Sequence, residues 1–159
     1  MKARPAYWIV CIALMLVAGC SPKEVAVMPV PAGNAGAIAG DWLLTEPASA
    51  YAITLRIDGA PTQLAGHYSL QLTGRSAVNT YFATASFSQG PSIESGEAGT
   101  GGLSDLGATK MAGSPAAMQF ENTYFERLRA VNKAELAGND RLRLSYGGPS
   151  SGVLVYKRQ

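Results

Sequence analysis

The chain has 159 residues, with 13 basic and 11 acidic side chains, one His and two Cys. Lys2 and Arg4 account for the whole surplus, so the rest of the chain balances at 11 against 11 and lacks the positive excess that a nucleic-acid surface needs. Both cysteines, Cys11 and Cys20, lie near the N-terminus, which excludes a disulfide framework or a cysteine metal site in the body of the chain.

Met1 to Cys20 reads as a secretion signal. Lys2 and Arg4 supply the positive start, an apolar run follows from Ala6 to Val17, and the small residues Ala18 and Gly19 precede Cys20. The run is shorter than the roughly 20 apolar residues that cross a bilayer. Val17-Ala18-Gly19-Cys20 resembles the lipobox of bacterial lipoproteins. That resemblance implies removal of residues 1–19 and acylation of Cys20, and several acyl chains at about 0.8 kcal/mol per buried methylene make an effectively permanent anchor. Ser21 stands where an Asp would retain the protein in the inner membrane, so the implied address is the outer membrane, with the domain facing the periplasm. Residues 20–39, rich in Pro, Gly and Ala, read as a tether, and a single domain is expected over 40–159.

From Trp42 onward short apolar runs alternate with Gly, Pro, Asn and Asp. Trp42 to Leu44 and Ala52 to Ile57 are the first expected strands, the second with Ile53, Leu55 and Ile57 on one side. Leu64 to Thr73 continues the period of two, placing Leu70 and Leu72 on the apolar face and His67 on the polar one. Ala77 to Phe87 is a fourth strand. Gln89 to Gly102 is poor in apolar residues and reads as a loop or weak hairpin, with Gly99-Thr100-Gly101-Gly102 a linker rather than a phosphate loop.

The stretch from Thr109 to Val131 carries the one strong helical period. Ser114 suits the N-cap and Pro115 the first helical position, where a missing N–H costs nothing. At 100° per residue Ala117, Phe120, Tyr124, Leu128 and Val131 share one stripe, with Met118 and Phe125 at its edge. Glu121 falls on that stripe, and a charge there needs a partner, expected to be a backbone N–H, Asn79 or Lys110 unless the carboxylate is a polar anchor in a ligand groove. Ala134 to Leu136, Leu142 to Tyr146 and Val153 to Tyr156 read as a closing meander. The expected fold is therefore α+β: an antiparallel curved sheet or incomplete barrel of about seven or eight strands, with one main helix over about 115–131 packed on it.

Two blocks carry a resemblance. Gly74-Arg75-Ser76-Ala77-Val78-Asn79-Thr80-Tyr81-Phe82 is similar to the G-x-x-G-C-N-x-[FY] block of the META/HslJ-like domain, and Thr109-Lys110-Met111-Ala112-Gly113 before Ser114-Pro115 is similar to its T-[RK]-M-A-C-P-P block. An opening Gly40-Asp41-Trp42-Leu43-Leu44 extends the likeness over 40–156. The resemblance implies a cysteine pair joining the two blocks, and here Val78 and Gly113 occupy both places. Val78 is therefore expected inside and next to Gly113, the smaller residue making room for the larger. Asn79, Lys110 and Glu121 form the candidate polar cluster.

No Cys, His and Asp set suggests catalysis, no metal-ligand cluster surrounds His67, and no cofactor is expected. The resemblance implies a non-catalytic envelope lipoprotein linked to heat or envelope stress, its partners being the membrane through Cys20 and a periplasmic protein not specified by the sequence. The alternative is a periplasmic inhibitor acting through Ser88 to Gly102, or a small-ligand carrier with an apolar cavity.

Overall fold

A computed structural model describes residues 36–59, 62–64, 67–88 and 99–159. A short 3-10 turn, Gly36–Ile38, leads into nine strands and one helix among these residues. The strands are β1 (Gly40–Glu46), β2 (Thr54–Ile57), β3 (Thr62–Leu64), β4 (His67–Arg75), β5 (Thr80–Phe87), β6 (Gly99–Ala108), β7 (Val131–Ala137), β8 (Arg141–Tyr146) and β9 (Gly152–Arg158). The helix α1, Pro115–Arg129, lies between β6 and β7.

All pairings are antiparallel, and the sheet closes on itself. The order runs β2-β1-β9-β8-β7-β6-β5-β4, and β2 then pairs with β4 from Thr54 against Arg75 to Ile57 against Leu72. Eight strands thus make a closed barrel rather than the open or incomplete one expected, and β3 continues along the edge of β4 below β2. Closure removes the free edges that would otherwise invite pairing with another chain.

Side chains alternate as a half-buried strand requires. In β5 Tyr81, Ala83, Ala85 and Phe87 are buried and the residues between them face outward. The two alanines at the waist leave room for larger groups from facing strands, among them Leu70, Leu142 and Leu144. The space left inside, lined by Ile38, Leu55, Leu70, Phe87 and Leu142 among others, is only about 10 Å³. This interior is packed at the density of an organic crystal.

Both ends are stoppered. At one end Ile38 enters the core at 2% exposure, and its carbonyl accepts from Trp42 Nε1 at 2.9 Å. Arg158 lies over the Trp42 ring at 4.3 Å and donates to the carbonyls of Ala37 and Ala39 at 2.6 and 2.7 Å. Packing therefore starts before Gly40, two residues into what the composition suggests is tether. Helix α1 crosses the other end, where the β1–β2, β4–β5 and β8–β9 connections also lie.

Ser114 caps the helix, its hydroxyl accepting from Ala117 N at 3.3 Å, and Pro115 occupies the first turn. Ala117, Glu121, Tyr124, Phe125 and Leu128 are buried, close to the expected stripe. The helix stops at Arg129, earlier than expected. Val131 belongs to β7 instead, because an apolar residue continuing a helical stripe fits the first inward position of a strand equally well.

The largest departure is β6. Gly99–Ala108 is a ten-residue strand, so residues 99–102 are sheet and not loop. Its glycines answer close approaches: a Cβ on Gly107 would strike the ring of Phe82, and one on Gly101 would strike the backbone of Ser86. Residues 89–98, the rest of the expected loop, lie outside the described residues, as do Cys20 and the signal.

Beneath α1 three tyrosine hydroxyls form a buried line. Tyr81 donates to Thr54 O at 2.9 Å, so it must accept from Tyr124 at 2.8 Å, and Tyr124 in turn accepts from Tyr156 at 2.9 Å. Burial raises all three above the ordinary tyrosine value, which keeps them neutral. Each phenol has one proton, and the single fixed acceptor at Thr54 orders all of them. Tyr124→Phe breaks the line in the middle and leaves the Tyr156 proton without an acceptor. Its expected cost is about 1–3 kcal/mol in chemical denaturation, larger than that of Tyr156→Phe, which strips only a donor from the end. Equal costs would contradict the ordered line.

Candidate functional site

Glu121 is 3% exposed, on the face of α1 that meets the β4–β5 turn. Oε2 accepts from Val78 N at 3.1 Å, from Asn79 N at 2.8 Å and from the Ser76 hydroxyl. Oε1 accepts from Asn79 Nδ2 at 2.6 Å. The turn is shaped for this task. Ser76 N donates to Asn79 O at 2.8 Å, closing a tight loop that points consecutive backbone N–H groups outward, as in the concave anion sites made by successive amides.

Asn79 extends the cluster to a third segment. Its Oδ1 accepts from Met111 N at 2.7 Å and from Thr109 Oγ1 at 2.8 Å, so the carboxamide joins the β4–β5 turn, the β6–α1 connection and the helix. Of the three candidate residues, Asn79 and Glu121 meet directly. Lys110 does not: it is exposed, and Thr109 and the Met111 backbone take the place expected for it. Ser76 was not among the candidates. Its signal was its position at the start of a four-residue turn ending in Asn79, where a hydroxyl aligns with the N–H groups.

Burial, the strongest single influence on Glu121, pushes its pKa up. The hydrogen bonds from Ser76, Asn79 and Val78 together outweigh it and hold the carboxyl below its ordinary value. No cation takes part among the described residues. Three donors converge on Oε2 and one on Oε1, and together they favour the ionised carboxylate. This arrangement is a clasp, poorly suited to a general base, which must be able to take up a proton.

Beside it, Val78 and Gly113 stand face to face. A Cβ built on Gly113 would lie 3.5 Å from Val78 Cβ and 2.5 Å from one of its methyls. The Cβ separation is that of a disulfide, roughly 3.5–4.5 Å. Val78 is half-buried at the rim instead of inside, and Gly113 is exposed. The two conserve the geometry of a cross-link without its chemistry.

A family profile for the META domain matches residues 37–159, the whole of the barrel and its helix. The chain belongs to the META domain family. Comparison with curated proteins and with solved structures finds no match. The start of the match at residue 37 agrees with the packing of Ile38 into the barrel end. No group of three or more His, Cys, Asp or Glu able to hold a metal occurs among the described residues of this META domain. His67 lies on β4, and its side chain falls outside what is described.

Two outcomes follow from this geometry. Glu121→Gln must turn an amide N–H toward a donor whichever way it is placed, and an expected loss of about 2–4 kcal/mol near neutral pH follows. Because the folded carboxyl titrates below its unfolded value near 4.5, its stabilisation is present above that pH and drains away as pH falls through the folded value. Denaturation curves of wild type and variant should therefore converge in acid, and a gap independent of pH would refute the clasp. Separately, Val78→Cys with Gly113→Cys, in a form beginning after Cys20, should close a bond on oxidation without other change. A loop of roughly 35 residues gives about 3–4 kcal/mol, read as a rise in melting temperature abolished by reductant. Persistent free thiols would mean the two sites do not face one another.

Proposed function

We propose that this META domain protein is a non-catalytic envelope lipoprotein, held to the outer membrane through acylated Cys20 with its barrel in the periplasm, and that it contributes to heat or envelope stress tolerance. The observation that carries the non-catalytic part is the filled interior. Among the described residues the space inside the barrel is about 10 Å³, too little for a substrate within it, whereas ligand pockets usually span about 300–1,000 Å³. The one buried carboxylate among the described residues, Glu121, is held by four hydrogen bonds, which supports the same reading. The signal-like N-terminus and Cys20 support the address.

The alternative of an interior ligand carrier loses its cavity for the same reason. An inhibitor loop would have to lie within 89–98, since Gly99 to Gly102 are occupied in β6.

Metabolic labelling with an alkynyl fatty acid tests the anchor. Wild type should take the label and sediment with membranes, and Cys20→Ser should do neither. An unlabelled wild-type chain would end the lipoprotein reading. Growth of a deletion strain at raised temperature and in detergent tests the stress role, which fails if the strain grows like its parent.

A further inference from the structure

Along α1, on the side away from Glu121, two adjoining troughs share Thr123 and Arg127. The first, about 390 Å³, runs between the helix and the β1–β2 connection, with Phe120, Ala116, Pro47 and Ala48 along its sides and Leu44 in its floor. The second, about 300 Å³, continues under the β8–β9 turn beside Tyr146 and Pro149. Each is as large as an ordinary small-molecule site, in contrast to the barrel interior.

Arg127 stands where they meet. Its Nε is buried and has no hydrogen-bond partner. Because Nε is covered it cannot be reached from the troughs, and the outer Nη groups, without a hydrogen-bond partner among the described residues, are the donors left for a ligand. The guanidinium lies over the Tyr146 ring at 5.7 Å, which steadies its plane and offers a π face without supplying an in-line acceptor. Arg127 is also the only charged residue lining the first trough. Among the described residues no carboxylate forms an ion pair with it, although Glu126 is its chain neighbour and lines the second trough.

We propose that this site binds a small amphiphilic carboxylate, its head on Arg127 and its apolar body along Phe120, Ala116 and Pro47. The paired Nη groups at the end of the guanidinium match the two oxygens of a carboxylate, a geometry that an ammonium cannot reproduce. The apolar sides exclude a bare inorganic anion as the best fit, because they would be left against water. The trough is lined chiefly by the helix and the β1–β2 connection, so a ligand there touches neither the barrel interior nor the Glu121 clasp. The inference is independent of membrane attachment, and its failure leaves the envelope reading standing.

The test uses the chain lacking residues 1–20, which keeps every described residue, with octanoate as probe and octanol and octylamine as controls. The Nε–H resonance of Arg127 is followed by nitrogen-edited NMR during titration. Octanoate should shift it saturably together with the amides of Thr123 and Phe120, while octanol and octylamine leave it in place. Arg127→Gln should weaken octanoate binding about tenfold or more, and Arg127→Lys should restore only part of it. Near-UV circular dichroism establishes that both variants fold, and Phe120→Ala gives a second weakening that does not touch the charge. Octanol binding as tightly as octanoate would reduce the trough to an apolar groove and overturn the proposal. An unmoved Arg127 resonance up to about 10 mM octanoate, a concentration where even millimolar binding registers, would overturn it as well.

Discussion

A single buried carboxylate decides how the helix sits on the barrel. Taking Glu121 out of water has a cost that only well-placed donors can offset. Four are in place, from Ser76, Val78 and Asn79. All four come from a turn that is rigid because Ser76 N and Asn79 O close it. Sliding the helix by one turn would leave both the charge and the N–H groups unpaired, so the register has no close competitor. Apolar packing alone is less selective, since Tyr124, Phe125 and Leu128 would find some contact in several registers. Here the polar group supplies specificity and the aromatic face supplies most of the burial.

The barrel depends on that placement in turn. An antiparallel barrel of eight strands has an interior only just wide enough for side chains to fill it. Its two open ends are the weak points. Ile38 and the Trp42–Arg158 pair close one, holding the entering chain by its carbonyls. The helix closes the other and brings Tyr124 over the barrel mouth, where its hydroxyl connects Tyr81 on β5 with Tyr156 on β9. Those two strands are not neighbours in the sheet. The hydroxyl line therefore ties the barrel across its diameter, which no backbone ladder does.

What the sequence made legible follows the range of each interaction. The helix was readable from Ser114, Pro115 and the 3.6-residue period, and the β4 and β8 strands from strict alternation, because those signals are local. Barrel closure was not, since the pairing of Thr54 to Ile57 with Leu72 to Arg75 leaves no mark on either segment alone. Strand β6 was hidden by its own packing. Glycines at 101 and 107 look like flexibility in a list of residues, but Gly101 is required by the Ser86 backbone on the neighbouring strand and Gly107 lies under the exposed Phe82 ring. In the polar cluster, Glu121 was conspicuous as a charge on an apolar stripe. Its partners were legible in kind, a backbone N–H and Asn79, but which N–H groups was not, because backbone donors have no residue identity, and Lys110 takes no part.

The resemblance implies a cysteine pair at 78 and 113, and the geometry there explains how the domain holds together without one. Val78 precedes Asn79, and Gly113 follows Met111 by two residues, so a bond between 78 and 113 would join the same two segments that Asn79 already joins through Met111 and Thr109. The cross-link would act chiefly on the unfolded chain, by restricting its loop. The Asn79 bridge acts on the folded one, by satisfying groups that would otherwise be buried unpaired. These contributions are separate in origin, which is why one can be absent while the other keeps the geometry. With neither position a Cys, no unpaired thiol stands among the described residues. Gly113 then accommodates the second methyl-bearing branch of Val78, and the contact that remains is the shape of the old bond filled by a hydrocarbon.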